Sequence, residues 1–386
     1  MINAAIIGTG AISDYHIDAY LSFPERCKIT WISDVFPEKA GQKKKAKDLD
    51  AQIAASYKEL LDKKDIDLVS ICTPPFAHAE TAVDFLNAGK HVLVEKPMAA
   101  SLEECDAMIA AEKKCGKFLS IVAQNRFTDS IYNMKKTLDS GIVGRPLHVQ
   151  ADSHWYRGHS YYDLWWRGTW EKEGGGCTLN HAVHQIDILN WMMGMPPLSI
   201  SSMLGNLSHD NAEVEDISIS VLRYPRAMAQ ITASLVHHGE GQSIIIQGEK
   251  GRISAPWQPR ASKPKPNGFP DADPEKEKEI DDFYRSLPKI EYSGHKGQID
   301  NVLSAIEGKG NILVTGAEGR MALEIVTAIY KAGTEQRTIE FPLKKEDAFY
   351  TVSGIMKEVP HFYKKTASVN DLGGSITVGS AENKQR

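Results

Sequence analysis

The sequence predicts an α/β unit on a doubly wound parallel sheet, followed by an α+β unit on an open, mostly antiparallel sheet. Three observations predict it. Short apolar runs alternate with amphipathic stretches through the first 122 residues. Beyond residue 147 the apolar positions recur every second residue. The length of 386 residues exceeds the roughly 100–200 of a single domain. The expected division is 1–122 for the first domain, 123–345 for the second, and 346–386 for a C-terminal extension ending in a flexible tail.

In the first domain, strands are expected at 3–7, 28–33, 52–55, 68–72, 91–95 and 118–122. Helices are expected near 12–22, 37–48, 57–63, 78–88 and 101–115. Pro37 suits a first helical position. Ser101 and Glu104 have the spacing of a capping box, and Gly116 stands where a C-terminal glycine cap would.

In the second domain, Leu147, Val149, Ala151, Ser153 and Trp155 alternate with His148, Gln150, Asp152 and His154. Such alternation marks a strand with one solvated face. Further strands are expected at 198–204, 215–224, 227–236 and 243–247, with one helix over 180–193. Six prolines from Pro256 to Pro274 predict a long surface excursion over 255–290. Helices resume near 296–307 and 317–331, the latter opened by a Thr315–Glu318 capping box.

Composition narrows the function. A net charge of −5 gives no nucleic-acid footprint. The run Lys43, Lys44, Lys45, Lys47 is short and reads as a solvated helix face. The five cysteines form no CxxC pair, which fits a reducing, cytoplasmic setting. No apolar run reaches the roughly 18 residues of a membrane span.

The first strand runs into Gly8-Thr9-Gly10-Ala11-Ile12-Ser13. Gly8 permits a tight turn, Gly10 lets the backbone approach a pyrophosphate, and a small residue at 13 keeps the helix near the sheet. The helix start offers N–H groups to phosphates. Asp34 ends the second strand, where a carboxylate accepts from ribose hydroxyls and repels a 2′-phosphate, so NAD is favoured over NADP. Thr73, Pro74 and Pro75 form a stiff loop after the fourth strand, with His78 opening the next helix as a cofactor-side neighbour.

Glu95-Lys96-Pro97 follows the fifth strand. Lys96 is a cation at the carboxyl edge, placed to stabilise an alkoxide. Gly174-Gly175-Gly176 precedes Asn180, His181, His184 and Asp187. At about 100° per residue on one helix, 180, 184 and 187 share an arc of about 60°. An imidazole between an amide and a carboxylate suits a general base, so His184 is the candidate and His181 the bystander. A His181–His184 metal pair lacks supporting ligands, and no metal is expected. The stretch 154–170 carries seven aromatic residues in seventeen. Tyr156, Trp165 and Arg167 within it, with Arg126, are substrate-side candidates, and packing in a satellite core is the competing reading. His295 is a weaker pocket candidate.

These residues together resemble the Gfo/Idh/MocA oxidoreductases, over about residues 1–345. The resemblance rests on Gly8-Thr9-Gly10, Thr73-Pro74-Pro75 with His78, Glu95-Lys96-Pro97, the triple glycine, and His184 with Asp187. It implies an N-terminal Rossmann domain and an open-sheet C-terminal domain. It further implies NAD(P)-dependent dehydrogenation of a sugar or polyol, and homo-oligomers (dimers or tetramers) built through the sheet's open face. Lys96 and His184 match the family's catalytic pair. The family often has an aspartate where this chain has Asn180, which leaves Asn180 as a substrate contact. The aromatic run suggests a glycoside, with oxidation at C3 as one option. The alternatives are a glycosidase or epimerase working by transient oxidation, and a non-enzymatic NAD-binding regulator.

Overall fold

A computed structural model describes residues 1–370 and Leu372. It forms two compact units: Met1–Phe127 with Ile290–Leu323, and Thr128–Lys289 with the chain from Glu324 onward. The sequence reading closed the first domain at 122. The structure adds the segment 290–323 to it.

The first unit contains β1 (Ile2–Ile7), α1 (Ser13–Leu21), β2 (Cys27–Ser33), α2 (Pro37–Ala46), β3 (Gln52–Ala54), β4 (Leu68–Ile71), α3 (His78–Asn87), β5 (His91–Val94), α4 (Leu102–Cys115) and β6 (Leu119–Ile121). Its sheet has the order β3-β2-β1-β4-β5-β6, with every pair parallel. The order reverses between β1 and β4, which places the ligand crevice at the carboxyl ends of those strands. Pro37 stands in the first turn of α2. Ser101 Oγ accepts from Glu104 N, Glu104 Oε2 accepts from Ala100 N, and Gly116 closes α4 at φ +66°. The expected helix over 57–63 is only a 3-10 turn, Tyr57–Leu60. Lys43 and Lys47 of the basic run reach Asp14 and Asp18 on α1 at 2.7 Å, so that face is partly paired.

The second unit begins with α5 (Asp129–Asp139), β7 (Pro146–Tyr156), α6 (Cys177–Asn180), α7 (Val183–Met193), β8 (Ser199–Gly205), β9 (Ile217–Tyr224), β10 (Ala227–Ser234), β11 (Val236–Gly248) and β12 (Arg252–Ala255). The excursion expected over 255–290 is ordered: β13 (Ser262–Pro264) and β14 (Pro270–Ala272) form a ribbon, followed by α8 (Pro274–Ser286). Trp257 stacks on Tyr284 at 3.6 Å between ring centroids. Along the chain there follow α9 (Gly294–Ile306), which belongs to the first unit, α10 (Gly316–Glu335), which runs from the first unit into the second, and β15 (Ile339–Glu340) and α11 (Val352–Glu358) of the second. The sheet order is β12-β11-β7-β10-β9-β8-β15. It is antiparallel except for β7 and β10, which run parallel, so the sheet is mixed.

In the first unit, Ile299, Val302 and Leu303 of α9 join Ile17 and Tyr20 of α1 in one buried cluster. Each such side chain contributes on the order of 1.5–3 kcal/mol by leaving water. The Thr315–Glu318 capping box is present: Glu318 N donates to Thr315 Oγ1, and Thr315 N donates to Glu318 Oε2. From Phe362 to Val369 the chain pairs with Glu213, Ala212 and Asp163. The expected flexible tail falls mostly on 371 and 373–386, outside the described residues.

Candidate active site

The dinucleotide turn is built as its spacing predicts. Gly8 adopts φ +90°, and a Cβ there would sit 2.8 Å from the Cys72 carbonyl. A Cβ at Gly10 would meet nothing within 4 Å. Gly8 is thus held by close packing, whereas Gly10 faces open space of the kind a phosphate needs. Gly10, Ala11 and Ile12 accept the first helical bonds of α1, from Ser13, Asp14 and Tyr15. Ser13 is buried and donates its hydroxyl to Gly10 O at 2.7 Å.

Asp34 lies just beyond β2. Its Oδ2 accepts from Thr9 N at 2.7 Å and Thr9 Oγ1 at 2.8 Å, and its Oδ1 from Phe36 N at 3.0 Å. These bonds fix the carboxylate beside the glycine turn. Thr73 follows β4, and its hydroxyl oxygen is buried with no hydrogen-bond partner. Gln124 Oε1, beyond β6, is buried and unpartnered too. Orphaned buried polar atoms cost about 1–3 kcal/mol each, and a polar ligand removes that cost. The open cradle at Gly10, the fixed Asp34 carboxylate and these orphaned oxygens fit NAD.

His78 is fully buried. Its Nδ1 lies 2.9 Å from Pro97 O and its Nε2 2.7 Å from Thr73 O, so it ties the Thr73-Pro74 loop to the loop after β5. Burial lowers its proton affinity and outweighs the pull of the two carbonyls. Glu95 is buried as well. Its Oε1 lies 2.9 Å from His16 Nε2 and 3.6 Å from His295 Nε2, and its Oε2 accepts from Lys96 N at 3.2 Å. Burial raises the Glu95 carboxyl, but the two imidazoles outweigh it and hold the group well below its ordinary value. Lys96 itself is half-buried. His16 and its partner Ser70 escaped the sequence reading. The available signal was a histidine three residues into a helix that must face the sheet.

In the second unit the glycine triplet is held by packing. A Cβ at Gly175 would overlap the Tyr330 hydroxyl, and one at Gly176 would overlap the Glu215 carbonyl oxygen. The Glu215 carboxylate accepts from Thr178 N at 2.9 Å, Gly176 N at 3.1 Å and Tyr330 Oη at 3.1 Å. Burial pushes its carboxyl up to about 7. Asn180 donates to Gly175 O at 3.0 Å, which closes the loop on itself.

The structure corrects the single-helix reading of 180–193. The helix breaks between Asn180 and Val183, with His181 and Ala182 in the joint. The angular argument therefore holds only for His184 and Asp187, both on α7, and not for Asn180. His184 is half-buried and Asp187 buried. His181 is buried, with Trp155 and Tyr161 centred 5.4 and 5.9 Å from its ring.

The aromatic stretch divides between buried and more exposed positions. Tyr162 and Trp170 are buried, and Trp170 packs edge-on against Tyr330. Arg167 pairs with buried Glu173 at 2.9 Å, hydrogen-bonds Tyr161 Oη, and lies over the rings of Tyr161 and Trp166. Trp165 lies under Lys172 and donates its backbone N–H to Val369 O. Tyr156 stacks on His238 and is exposed; the strand alternation puts it on the sheet face opposite Trp155. In the first unit, Arg126 is fully buried and paired with Glu318 at 2.6 Å.

A parallel sheet in this order, with an open glycine turn and a carboxylate fixed at the end of the second strand, defines a dinucleotide-binding protein of the NAD type. Two family descriptions match the chain: an oxidoreductase family NAD-binding Rossmann fold over residues 2–122, and a GFO/IDH/MocA C-terminal domain over 131–254. The chain belongs to the Gfo/Idh/MocA oxidoreductase family and binds NAD through its Rossmann domain. It is similar to the WlbA dehydrogenase from Bordetella pertussis, solved in complex with NADH and UDP-GlcNAcA. That likeness is 30% identical, covers 89% of this chain and 98% of the other, and has a TM-score of 0.76. It is also similar to 2,7-anhydro-N-acetylneuraminate hydratase of Escherichia coli, at 26% identity over 68% of this chain and 69% of that one. Inositol 2-dehydrogenase of Salmonella typhimurium is 25% identical over 66% of this chain and 74% of its own length. Among the described residues, no helix is long and apolar enough to cross a membrane.

Proposed function

We propose that this protein oxidises a secondary hydroxyl of a sugar, polyol or glycoside, with Lys96 and His184 as the reacting side chains. The observation that carries the reading is Lys96 at the carboxyl edge of the dinucleotide sheet, its backbone N–H held by the buried Glu95 carboxylate. NAD, when bound, supplies the hydride acceptor. Lys96 donates a hydrogen bond to the alcohol oxygen and stabilises the charge that builds there. His184 takes the hydroxyl proton, and Asp187, about 60° from it on α7, orients the ring. Asn180 holds the glycine loop and contacts the substrate. A relative crystallised with UDP-GlcNAcA supports a glycoside of this kind.

Absorbance at 340 nm tests this with UDP-GlcNAcA, levoglucosan, myo-inositol and aryl glycosides, with and without added NAD. Lys96→Ala and His184→Ala should retain NADH binding and lose turnover. Near-normal turnover in either variant removes that residue from the mechanism.

A second reading has one observation behind it. The Escherichia coli relative is named for a hydratase reaction, which has no net redox change. Oxidation at C3 acidifies C2, a group then leaves or adds, and reduction restores the alcohol. Substrate conversion without accumulating NADH selects this reading.

We further propose a homo-oligomer that covers the open face of the second unit's sheet. Met203, Ile219, Val221 and Met228 are exposed there on β8, β9 and β10. Light scattering on a sizing column should give a dimer or tetramer. All five cysteines are free thiols, which supports a reducing compartment.

A further inference from the structure

The Glu95 carboxylate joins four elements of the first unit. His16 comes from α1, Ser70 from β4, Glu95 from the end of β5, and His295 from the start of α9. His16 Nδ1 lies 3.2 Å from Ser70 Oγ, which lies 2.8 Å from Tyr20 Oη. Both rings therefore have their reach to Glu95 set by packing: His16 through that polar chain, and His295 through its tilted contact with Tyr15 at 5.2 Å. A buried carboxylate is costly unless such partners surround it. The site places this cost one residue from Lys96, and its second oxygen is spent on the Lys96 backbone N–H.

We propose that His16 and Glu95 form a positioning clamp, in which a buried imidazole orients a carboxylate that fixes the backbone at Lys96 and so sets where its ammonium group reaches. The proposal rests on the role given to Lys96 above. His16, Glu95 and His295 bring one ligand atom each within 4.8 Å of one another, as a metal site would. Tetrahedral zinc with bonds of about 2.0–2.2 Å separates its ligand atoms by about 3.3–3.6 Å. The His16–Glu95 separation of 2.9 Å is shorter and is a hydrogen-bond length. The geometry therefore points to a clamp closed by the His16–Glu95 hydrogen bond, with His295 Nε2 buried beside it at 3.6 Å and without a hydrogen-bond partner.

Two substitutions at His16 separate positioning from packing. His16→Phe keeps an aromatic ring on α1 and removes the nitrogen bonded to Glu95. His16→Gln keeps a donor and removes the ring. Lys96 accessibility is read by acetylation with trace acetic anhydride and peptide mass mapping, normalised to the exposed Lys28. A clamp predicts that the Phe variant changes the Lys96/Lys28 ratio by about threefold or more while the Gln variant keeps it, because small displacements of a held group have large effects. NADH affinity should stay within about twofold in the Gln variant, since the substitution removes no group of the phosphate cradle at Gly8 to Ser13. An unchanged ratio in the Phe variant overturns the proposal. So does an equal change in both variants, or one equivalent of tightly held zinc in the purified protein. Turnover of Lys96→Ala tests the underlying reading separately, because the acetylation ratio does not depend on catalysis.

Discussion

Gly176 packs against Glu215 so closely that a Cβ at 176 would overlap the Glu215 carbonyl oxygen and lie 2.9 Å from its carbonyl carbon. Gly176 has φ −96°, so no left-handed backbone calls for glycine there. The close approach of Glu215 does. Gly176→Ala should destabilise the second unit by about 2 kcal/mol or more, because backbone must move to admit the methyl group. The urea midpoint followed by tryptophan fluorescence checks this. A midpoint equal to the wild type's would show that the contact relaxes freely.

The Glu215 carboxyl links stability to pH. Its ordinary value of 4.5 is raised to about 7 in the folded state by burial. Folding therefore favours the protonated form. The contribution is full below about pH 4.5 and is lost as pH rises through 7, by about 3 kcal/mol in all. Glu215→Gln removes the titrating group but turns an amide NH2 toward one of the two backbone N–H groups, Gly176 or Thr178, that the carboxyl accepts from. The variant should be less stable than the wild type near pH 5 and should lose the wild type's decline toward pH 8. Urea midpoints measured across that range decide it, and parallel curves for the two proteins would exclude the linkage.

Gly8 and Gly10 should separate folding from cofactor binding. A Cβ at Gly8 meets the Cys72 and Thr73 backbone at 2.8–2.9 Å, at φ +90°. Gly8→Ala should lower thermal stability, since both strain and overlap act. A Cβ at Gly10 meets no protein atom within 4 Å. Gly10→Ala should keep the wild-type melting curve and weaken NADH binding about tenfold or more, because the methyl group occupies the approach of the pyrophosphate. Fluorescence titration with NADH and a melting curve on each variant are sufficient. Equal NADH affinity in Gly10→Ala would displace the cofactor from this turn.

The sequence made local structure legible wherever its cause is local. The Ser101–Glu104 and Thr315–Glu318 boxes, the Pro37 start and the Gly116 stop all act within one turn, and all are present. The break between α6 and α7 has no such cause: Thr178 to Gln185 contains neither glycine nor proline. The neighbouring turn is held instead by Glu215, whose carboxylate accepts from Gly176 N and Thr178 N across 39 and 37 residues of chain. Strand alternation in β7 identified its buried face but not the direction of its neighbour, so the parallel pairing with β10 could not be read. His16 and Glu95 are distant in sequence, and only the sheet order brings their elements together. The cofactor half of the site was readable because one contiguous turn encodes it.

Asp34 should set the choice between NAD and NADP. Its carboxylate is fixed at the end of β2 by Thr9 N, Thr9 Oγ1 and Phe36 N. A ribose diol can donate to it, whereas a 2′-phosphate brings like charge against a carboxylate that cannot turn away. Asp34→Ala removes both the acceptor and the repulsion. NADH affinity should fall and NADPH affinity should rise, narrowing the ratio of their dissociation constants by about tenfold or more. Thr9→Val is the matched control: it removes only the hydroxyl bond to Asp34 and leaves the backbone N–H and the negative charge. That variant should keep the wild-type ratio, with both affinities falling together by the equivalent of about 1 kcal/mol or less. Fluorescence titrations of both nucleotides at one ionic strength decide it. If Asp34→Ala leaves the ratio where it was, the discrimination lies with other residues, and Asp34 serves only to brace the glycine turn.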